Sequence, residues 1–310
     1  MITREGSMRA LLAVIAGLAA LAVLLLAACS SDDASSGAGT KSVVATTVQI
    51  AALTREVARE KLEVHGLIPP GADAHEFEPT ASDLKAIEDA ELILRHGIGL
   101  DDWLDDTLKA GGRAKVVTVT EGITPRQLDE GGEQVDDPHV WHDPANDKIM
   151  VDNIASALDN FDPAGKTTYD ANAKAYKAKL DETRDTVQAI ISEIPPENRK
   201  LVTNHDALSY FATAFGLQVV GAVIPSISTN AEPSAKDTAD LLETINREHV
   251  KAIFAESSVN PRLATTLARD AGITIVDDLY GDSLGEPGSD AATVDGMLLA
   301  NARKIADALK

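Results

Sequence analysis

Short segments rich in β-branched residues alternate with amphipathic segments along this chain, and this alternation limits its fold more than any other feature. The pattern begins at residue 43, stops near residue 160 and resumes near residue 200. It predicts strands at residues 43–46, 62–67, 91–94, 115–119, 200–203, 217–223, 252–255 and 273–276. Strands separated by helices form parallel sheets, because a parallel neighbour requires a crossover connection. We therefore expect an α/β protein with two lobes, each a mainly parallel four-stranded sheet flanked by helices.

A helix is predicted after each of these strands. The predicted helices span residues 49–60, 82–89, 101–109, 145–158, 207–215, 234–248, 261–271 and 290–309. Thr80 and Asp83 have the spacing of a capping box, which supports the start of the second helix. The stretch between residues 120 and 143 is acidic and contains glycine, and we interpret it as a loop.

The segment from residue 163 to residue 193 differs from the alternating strands and helices on either side of it. It is polar and has no glycine or proline between Gly165 and Pro195. Its apolar residues are spaced by three or four positions, which predicts one amphipathic helix. About 28 residues at 1.5 Å per residue give a helix about 42 Å long. We expect it to bridge the lobes, with an N-terminal lobe at residues 42–160, a linking helix at 161–195 and a C-terminal lobe at 196–310.

The N-terminus reads as a targeting segment. Arginines precede an unbroken apolar run at residues 10–28, which ends in small residues directly before Cys29. This order is typical of a secretory signal peptide. Cysteine at this position resembles the lipobox of bacterial lipoproteins, which implies removal of residues 1–28 and acylation of Cys29. An uncleaved anchor helix is the alternative. Either interpretation places the protein outside the cytoplasm, with residues 29–41 as a flexible tether to the cell membrane.

Composition excludes several classes of function. Cys29 is the only cysteine, so one chain cannot contain a disulfide, a cysteine-based zinc site or an iron–sulfur cluster. Its 49 acidic residues exceed its 28 basic residues, giving a formal net charge of -21. Such a chain repels phosphate backbones, which argues against a nucleic-acid partner. With only 4% aromatic residues, it also lacks the composition to grip a siderophore or haem.

Histidines stand where predicted strands end, and these positions suggest a metal site. His75 follows the second strand, His139 the fourth and His205 the fifth, while Asp282 follows the last strand. Ligands of open α/β sheets bind beyond the carboxyl ends of strands, so these side chains are expected to meet between the lobes. Imidazoles with one carboxylate suit a divalent transition metal. Spacing alone leaves open that each histidine is a solvated or capping residue.

Five motifs containing or adjoining these positions resemble the metal-ion substrate-binding lipoproteins of bacterial ABC importers, the zinc/manganese solute-binding family. The motifs are PPGADAHEFEPT at 69–80, DPHVW at 137–141, NHDALSYF at 204–211, FAESS at 254–258 and YGDSL at 280–284. The resemblance implies two α/β lobes joined by a long helix. It also implies a monomeric binding protein, not an enzyme, that delivers metal to an ABC permease. Ala74 stands where the family usually has proline, which loosens the backbone before the first histidine.

The resemblance also implies the metal ligands. One residue from each of four motifs binds the ion in the family, and these correspond here to His75, His139, His205 and Asp282. Zinc-type members carry histidine at the third position, whereas manganese-type members often carry glutamate. Three imidazoles and a carboxylate suit four-coordinate Zn²⁺, and Mn²⁺ prefers more oxygen ligands. We therefore expect Zn²⁺, with Mn²⁺ and then iron as alternatives, and an affinity that falls as pH drops below about 6.5.

Other residues near the motifs are candidates for supporting roles. We expect Glu256 near the cleft, hydrogen-bonded to backbone or to a ligand histidine. Asp143 and Asp206 are the nearest carboxylates in sequence to the ligand histidines and are candidates for fixing their rings. His142 has a helical spacing from His139, but flanking prolines argue against a regular helix there. The other histidines and the two tryptophans are expected to be structural or solvated: His65, His96, His249, Trp103 and Trp141.

Three alternatives stay open. The acidic stretch at residues 121–138 contains six carboxylates and no histidine, unlike the His-rich loop of many zinc-type members, and either gathers cations weakly or is simply solvated. A metallohydrolase needs an open coordination position and a general base, and four protein ligands argue against it. A surface adhesin or a metal chaperone would share the metal site but not the transporter.

Overall fold

Parallel strand pairing organises the part of the chain that the computed structural model describes, residues 41–109, 113–130 and 132–310. The strands are β1 (Ser42–Ala45), β2 (Glu63–Gly66), β3 (Leu92–Arg95), β4 (Lys115–Thr118), β5 (Gln127–Glu130), β6 (Glu133–Asp136), β7 (Lys200–Thr203), β8 (Gln218–Ala222), β9 (Ala252–Glu256) and β10 (Thr274–Leu279). They form one sheet in the order β2-β1-β3-β4 and another in the order β10-β9-β7-β8. Every neighbouring pair in these sheets is parallel. The predicted fold class is confirmed.

Helices follow the strands of both sheets. Within the described residues they are α1 (Val48–Ala58), α2 (Ala81–Asp89), α3 (Trp103–Lys109), α4 (Pro144–Phe161), α5 (Lys166–Ser192), α6 (Ser209–Phe215), α7 (Ala235–Glu248), α8 (Arg262–Ala271) and α9 (Val294–Leu309). The capping box of α2 is present, because Thr80 accepts a hydrogen bond from Asp83 N while the Asp83 side chain accepts one from Thr80 N. The last helix starts four residues later than predicted, after its N-cap Thr293.

The long helix α5 has 27 residues and confirms the predicted linking helix. Its buried stripe contains Tyr169, Ala173, Tyr176 and Leu180, at the spacing read from the sequence. The helix packs against α1, α4 and α9 and separates the chain into an N-terminal half (residues 41–165) and a C-terminal half (residues 193–310). The two sheets are thereby attached to one shared helical layer.

Alternation along the strands divides the core into layers. In β1, Val43 and Ala45 contribute to the large central core, whereas Val44 contributes to a small cluster on the opposite face of the sheet. In β9, Phe254 faces the central core and Ile253 faces an outer cluster of the C-terminal half. Because neighbouring side chains of a strand point to opposite faces, each sheet is buried on both sides, as parallel sheets are.

The acidic stretch after β4 is not wholly a loop, and that interpretation was wrong. Strands β5 and β6 pair antiparallel within it. The hairpin contacts the C-terminal half, because Glu130 accepts a hydrogen bond from the backbone N–H of Ile227 at 2.7 Å. Its polar, partly exposed strands lack the apolar alternation that predicts a strand, so the pattern could not reveal them.

The predicted signal peptide and Cys29 lie outside the described residues, as does the tether apart from Lys41. Residues Ser42–Lys310 form one compact unit. In the part of the chain that the structure describes, no helix has both the length and the apolar character needed to cross a bilayer.

Candidate metal centre

The carboxyl ends of the two sheets carry the residues of the candidate site. His75 lies beyond β2, His139 follows the β5–β6 hairpin, His205 follows β7 and Asp282 follows β10. The structure brings the four side chains into one cluster, in which His75 is partly buried and the other three are fully buried. This is the edge at which open α/β sheets bind their ligands.

The donor atoms of the four residues all lie within 4.8 Å of one another. His139 Nε2 lies 3.2 Å from His75 Nε2 and 3.3 Å from His205 Nε2. Asp282 Oδ1 lies 3.2 Å from His139 Nε2, and Asp282 Oδ2 lies 3.4 Å from the Nε2 atoms of His75 and His205. A tetrahedral zinc ion with bonds of about 2.0–2.1 Å has ligands about 3.3–3.4 Å apart. The spacing matches that of four ligands around one small dication.

Carboxylates orient two of the imidazole rings. Asp137 Oδ1 lies 2.8 Å from His139 Nδ1, and Glu256 Oε1 lies 2.6 Å from His205 Nδ1. When Nδ1–H donates to a carboxylate, Nε2 keeps its lone pair and points it at the centre of the cluster. The hydrogen bond with Asp137 therefore turns His139 Nε2 toward the centre of the cluster, and the ion pair with Glu256 places the His205 ring in the same way.

Asp282 is held through its backbone while its carboxylate is left without a donor. Its N–H donates to Glu256 Oε2 at 3.0 Å, so Glu256 contacts both His205 and Asp282. Neither carboxylate oxygen of Asp282 has a hydrogen-bond donor among the described residues, although the side chain is fully buried. The imidazole rings around this buried carboxylate and its unpaired oxygens together suit a bound cation.

Gly281 allows Glu256 to approach the Asp282 turn. A Cβ atom at position 281 would lie 1.8 Å from Glu256 Oε2 and 2.0 Å from its Cδ. Glycine is therefore the only residue that fits while Glu256 keeps both of its contacts.

His75 is the least enclosed member of the cluster, with 9% of its side chain exposed. Its N–H donates to Asp73 Oδ1, and its carbonyl accepts a hydrogen bond from Asn230 in the C-terminal half. A cavity of about 470 Å³ opens beside it, lined also by Leu100, Pro138 and Ile227 among others. Of the four candidate ligands, only His75 lines this cavity.

Charges within the cluster shift the pKa values of its members in opposite directions. Burial by itself lowers the pKa of His139, but the charge of Asp282 and the hydrogen bond with Asp137 outweigh it and raise that pKa to about 9. Burial likewise opposes protonation of His205, whose pKa is nevertheless raised well above its usual value by Glu256 and Asp282. Burial dominates at His75 and lowers its pKa to about 4. Asp282 has its pKa lowered well below the usual range, because the three histidines outweigh the effect of burial.

The carboxylates expected from sequence proximity to fix the rings were the wrong ones. Asp143 is the N-cap of α4, where its side chain accepts a hydrogen bond from Ala145 N. Asp206 accepts a hydrogen bond from Ser209 Oγ at 2.7 Å. The sequence analysis missed Asp137, although it stands two residues before His139 in the DPH motif. Its carboxylate reaches the His139 ring only because the chain turns at Pro138.

The other histidines and tryptophans lie outside the cluster of donor atoms. His142 is fully buried and its Nε2 donates to Gly281 O at 3.1 Å, so it contacts the turn that carries Asp282. His96 is buried and its Nε2 donates to Pro138 O at 2.8 Å, whereas His65 and His249 are exposed. Trp141 is fully buried and Trp103 packs against Phe77.

Comparison with known proteins agrees with this geometry. The sequence profile of the family described as zinc-uptake complex component A, periplasmic, matches residues 43–308. The chain is 34% identical over 299 residues to the manganese ABC transporter substrate-binding lipoprotein PsaA of Streptococcus mitis, covering 93% of this chain and 96% of that protein. It is 33% identical over 298 residues to the iron ABC transporter substrate-binding lipoprotein MtsA of Streptococcus pyogenes serotype M1, with the same coverage.

A solved structure extends the comparison to the fold. The periplasmic zinc-binding protein TroA of Treponema pallidum superimposes with a TM-score of 0.81 at 32% sequence identity, covering 87% of this chain and 99% of that chain. Two parallel sheets joined by a long helix, with a His₃Asp cluster at their carboxyl ends, define a metal-binding protein of the transport type. The chain belongs to the zinc-uptake component A family of metal-ion substrate-binding proteins of ABC importers, which are not enzymes.

Proposed function

We propose that this protein binds Zn²⁺ outside the cytoplasm through His75, His139, His205 and Asp282, and delivers it to an ABC permease. The observation that carries the proposal is the spacing of 3.2–3.4 Å between neighbouring donor atoms of the cluster. Membership in a family of importer binding proteins supports the delivery step.

The donor set favours zinc. Three neutral imidazoles and one carboxylate complete a tetrahedral shell, and Zn²⁺ has no electronic preference against that geometry. The donor spacing also corresponds to the short bonds that zinc makes to nitrogen and oxygen. His205, in the position where manganese-type members often carry glutamate, points to the same ion.

Manganese is the second candidate, and one observation favours it. Asp282 presents Oδ1 to His139 and Oδ2 to His75 and His205, so both oxygens face the centre. A carboxylate that binds through both oxygens raises the coordination number and the oxygen share, which Mn²⁺ prefers. The relatives named above are described as binding manganese, iron or zinc.

We further propose that the protein is a lipoprotein, cleaved after residue 28 and acylated on Cys29, which acts as a monomer at the cell membrane. The lobes would comprise residues 42–160 and 196–310, joined by the linking helix at 161–195. Relatives named as lipoproteins support the anchor. Replacing Cys29 with serine should move the protein from the membrane fraction to the soluble fraction, and continued membrane retention of that variant would contradict the anchor.

The decisive experiment is metal analysis of the protein purified without added metal, followed by competition between Zn²⁺ and Mn²⁺. We expect one zinc ion per chain and displacement of bound Mn²⁺ by equimolar Zn²⁺. His205→Ala should abolish tight binding, whereas His249→Ala, which changes an exposed histidine, should bind like the unmodified protein. Binding of zinc by the His205 variant with unchanged affinity would refute the site.

A further inference from the structure

The turn that carries Asp282 belongs to the C-terminal half in sequence but is held by the N-terminal half. The carbonyl of Gly281 accepts hydrogen bonds from Trp141 Nε1 at 3.0 Å and from His142 Nε2 at 3.1 Å. The carbonyl of Asp282 accepts one from Gln49 Nε2 at 2.9 Å. Three side-chain donors therefore fix two successive carbonyls on either side of the Asp282 Cα atom.

The donors come from two places in the N-terminal half. Gln49 is near the start of α1, two residues after the N-cap Thr47. Trp141 and His142 lie in the single 3-10 turn that follows His139. Trp141 and His142 lie two and three residues after His139, and both donate to the carbonyl of Gly281, the residue before Asp282. These two hydrogen bonds therefore connect His139 to Asp282 directly, although the two residues are far apart in sequence.

Within the described part of the chain, Gln49 and His142 make no other hydrogen bond that would explain their burial. Both are fully buried, and Gln49 Oε1 and His142 Nδ1 have no partner among the described residues. A buried polar atom without a partner lowers stability, and an apolar side chain in its place would avoid that cost. The one bond that each side chain makes goes to the Asp282 turn.

The opposite side of the turn is also held. Glu256 Oε2 accepts the N–H of Asp282, and Gly71 N–H donates to Ser283 Oγ at 2.5 Å. The N–H and the carbonyl of Asp282 are therefore both bonded, so the peptide groups on both sides of its Cα cannot rotate freely. The direction of the Cα–Cβ bond that carries the carboxylate is then set before any ion arrives.

We propose that Gln49 and His142 are positioning residues for the metal site, which hold the Asp282 carboxylate at binding distance from His139. The proposal rests on the proposed metal-binding function. His142 acts through the Gly281 carbonyl as a neutral Nε2–H donor and contributes no atom to the ion. Loss of either donor frees the turn, so that the metal must order Asp282 at the expense of binding free energy.

Three variants of the full-length protein test the proposal. His142→Phe keeps the ring volume but removes the donor, His142→Gln restores an N–H near the position of Nε2, and Gln49→Met removes the second donor at similar volume. We expect the dissociation constant for Zn²⁺ to rise about 10- to 100-fold in His142→Phe and Gln49→Met, as is usual for partners of metal ligands. The dissociation constant of His142→Gln should stay within about threefold of that of the unmodified protein, because its amide N–H can still donate to the Gly281 carbonyl.

Asn172→Leu is the matched control. Asn172 donates from its amide to the backbone carbonyl of Val57 at 2.9 Å, the same kind of bond and the same length as that of Gln49, but away from the metal site. We expect this variant to lose thermal stability without losing zinc affinity. The absorption spectrum of bound Co²⁺ supplies a readout that stability does not move, and its ligand-field bands should shift in His142→Phe but not in Asn172→Leu.

The outcomes separate the two proposals. If the unmodified protein binds no stoichiometric zinc, the proposed function fails. If it binds zinc and both His142→Phe and Gln49→Met bind it equally well, the positioning role fails. If His142→Gln is as weak as His142→Phe and its Co²⁺ spectrum shows the loss of one nitrogen ligand, His142 is itself a ligand and the proposal is overturned.

Discussion

At the scale of single residues, the chemistry of the site depends on what the other ring nitrogen of each histidine does. His139 and His205 have Nδ1 occupied by the carboxylates of Asp137 and Glu256. His75 has no such carboxylate on its ring in the described contacts, and it is also the partly exposed member. The site therefore consists of two tightly oriented rings, one oriented carboxylate and one ring that is held mainly through its backbone.

The first prediction concerns pH. Burial opposes protonation of His139, yet Asp282 and Asp137 raise its pKa to about 9, and the pKa of His205 is also raised. The metal must displace these protons, so zinc affinity should increase with pH from 6.5 towards 9, by about tenfold per pH unit for each proton displaced. This window lies above the one expected for an unperturbed histidine. Dissociation constants at pH 6.5, 7.5 and 8.5 measure the effect, and equal values at the three pH values would contradict it.

The second prediction is that Gly281→Ala weakens zinc binding about 10- to 100-fold, because the added Cβ displaces Glu256 from the partners it orients. Competition against a chelator of known affinity measures the change. Gly221→Ala is the control, since its Cβ meets only the end of the Leu241 side chain, at 2.6 Å, in the outer cluster of the C-terminal half. If both variants bind zinc normally, Glu256 does not orient the site.

Sequence reasoning found the residues that converge and one partner that holds them, Glu256, but not the others. His75, His205 and Asp282 could be identified because they follow strands, and the edge of a parallel sheet is a place that the chain order alone predicts. Asp137, Gln49 and Trp141 contact the site through a turn or across the two halves. No periodicity encodes such contacts, because they depend on how the sheets pack rather than on which elements form.

At the scale of secondary-structure elements, the β5–β6 hairpin is the part that pattern reading missed, and it joins the two halves next to the site. Tyr210, at the start of α6, accepts a hydrogen bond from Arg126 N at 2.8 Å and donates to Asp137 O at 3.0 Å. The hairpin base and the residue that orients His139 are thus anchored to one hydroxyl group of the C-terminal half. The long helix could be predicted because its buried stripe is apolar. The hairpin could not be predicted, because polar contacts hold it and its strands have no apolar alternation.

The third prediction follows from that anchor. Tyr210→Phe removes both hydrogen bonds and leaves a buried carbonyl without a donor, so the free energy of unfolding should fall by about 1–2 kcal/mol. Zinc affinity should fall less than in Gly281→Ala, since Asp137 keeps its bond to His139. Denaturant unfolding of the metal-free protein measures the first effect. Thr213→Ala removes the exposed contact with Arg126 and a bond to the Ser209 carbonyl within α6, and it should leave both quantities nearly unchanged. A Tyr210→Phe variant as stable as the unmodified protein would show that the hydroxyl contributes nothing.

At the scale of the whole molecule, the site lies where two parallel sheets turn their carboxyl ends toward each other. A central core shared by both halves, which includes residues of α1, α5 and α9, holds these edges at a fixed separation. The charge of the buried Asp282 carboxylate is balanced there by the three histidines around it, which lower its pKa well below the usual range. A bound dication replaces their protons and connects ligands from both halves, so metal binding and global stability are coupled.

This coupling gives the fourth prediction. A ligand that binds only the folded state stabilises it by about 4 kcal/mol when its free concentration is 1,000 times the dissociation constant. For a folded unit of this size, that corresponds to a rise in Tm of about 7 °C. Thermal unfolding with and without buffered Zn²⁺ should show this rise in the unmodified protein and in His249→Ala, and almost none in His205→Ala. A rise of equal size in His205→Ala would mean that zinc stabilises the protein from another position, and the His₃Asp cluster would then not be the binding site.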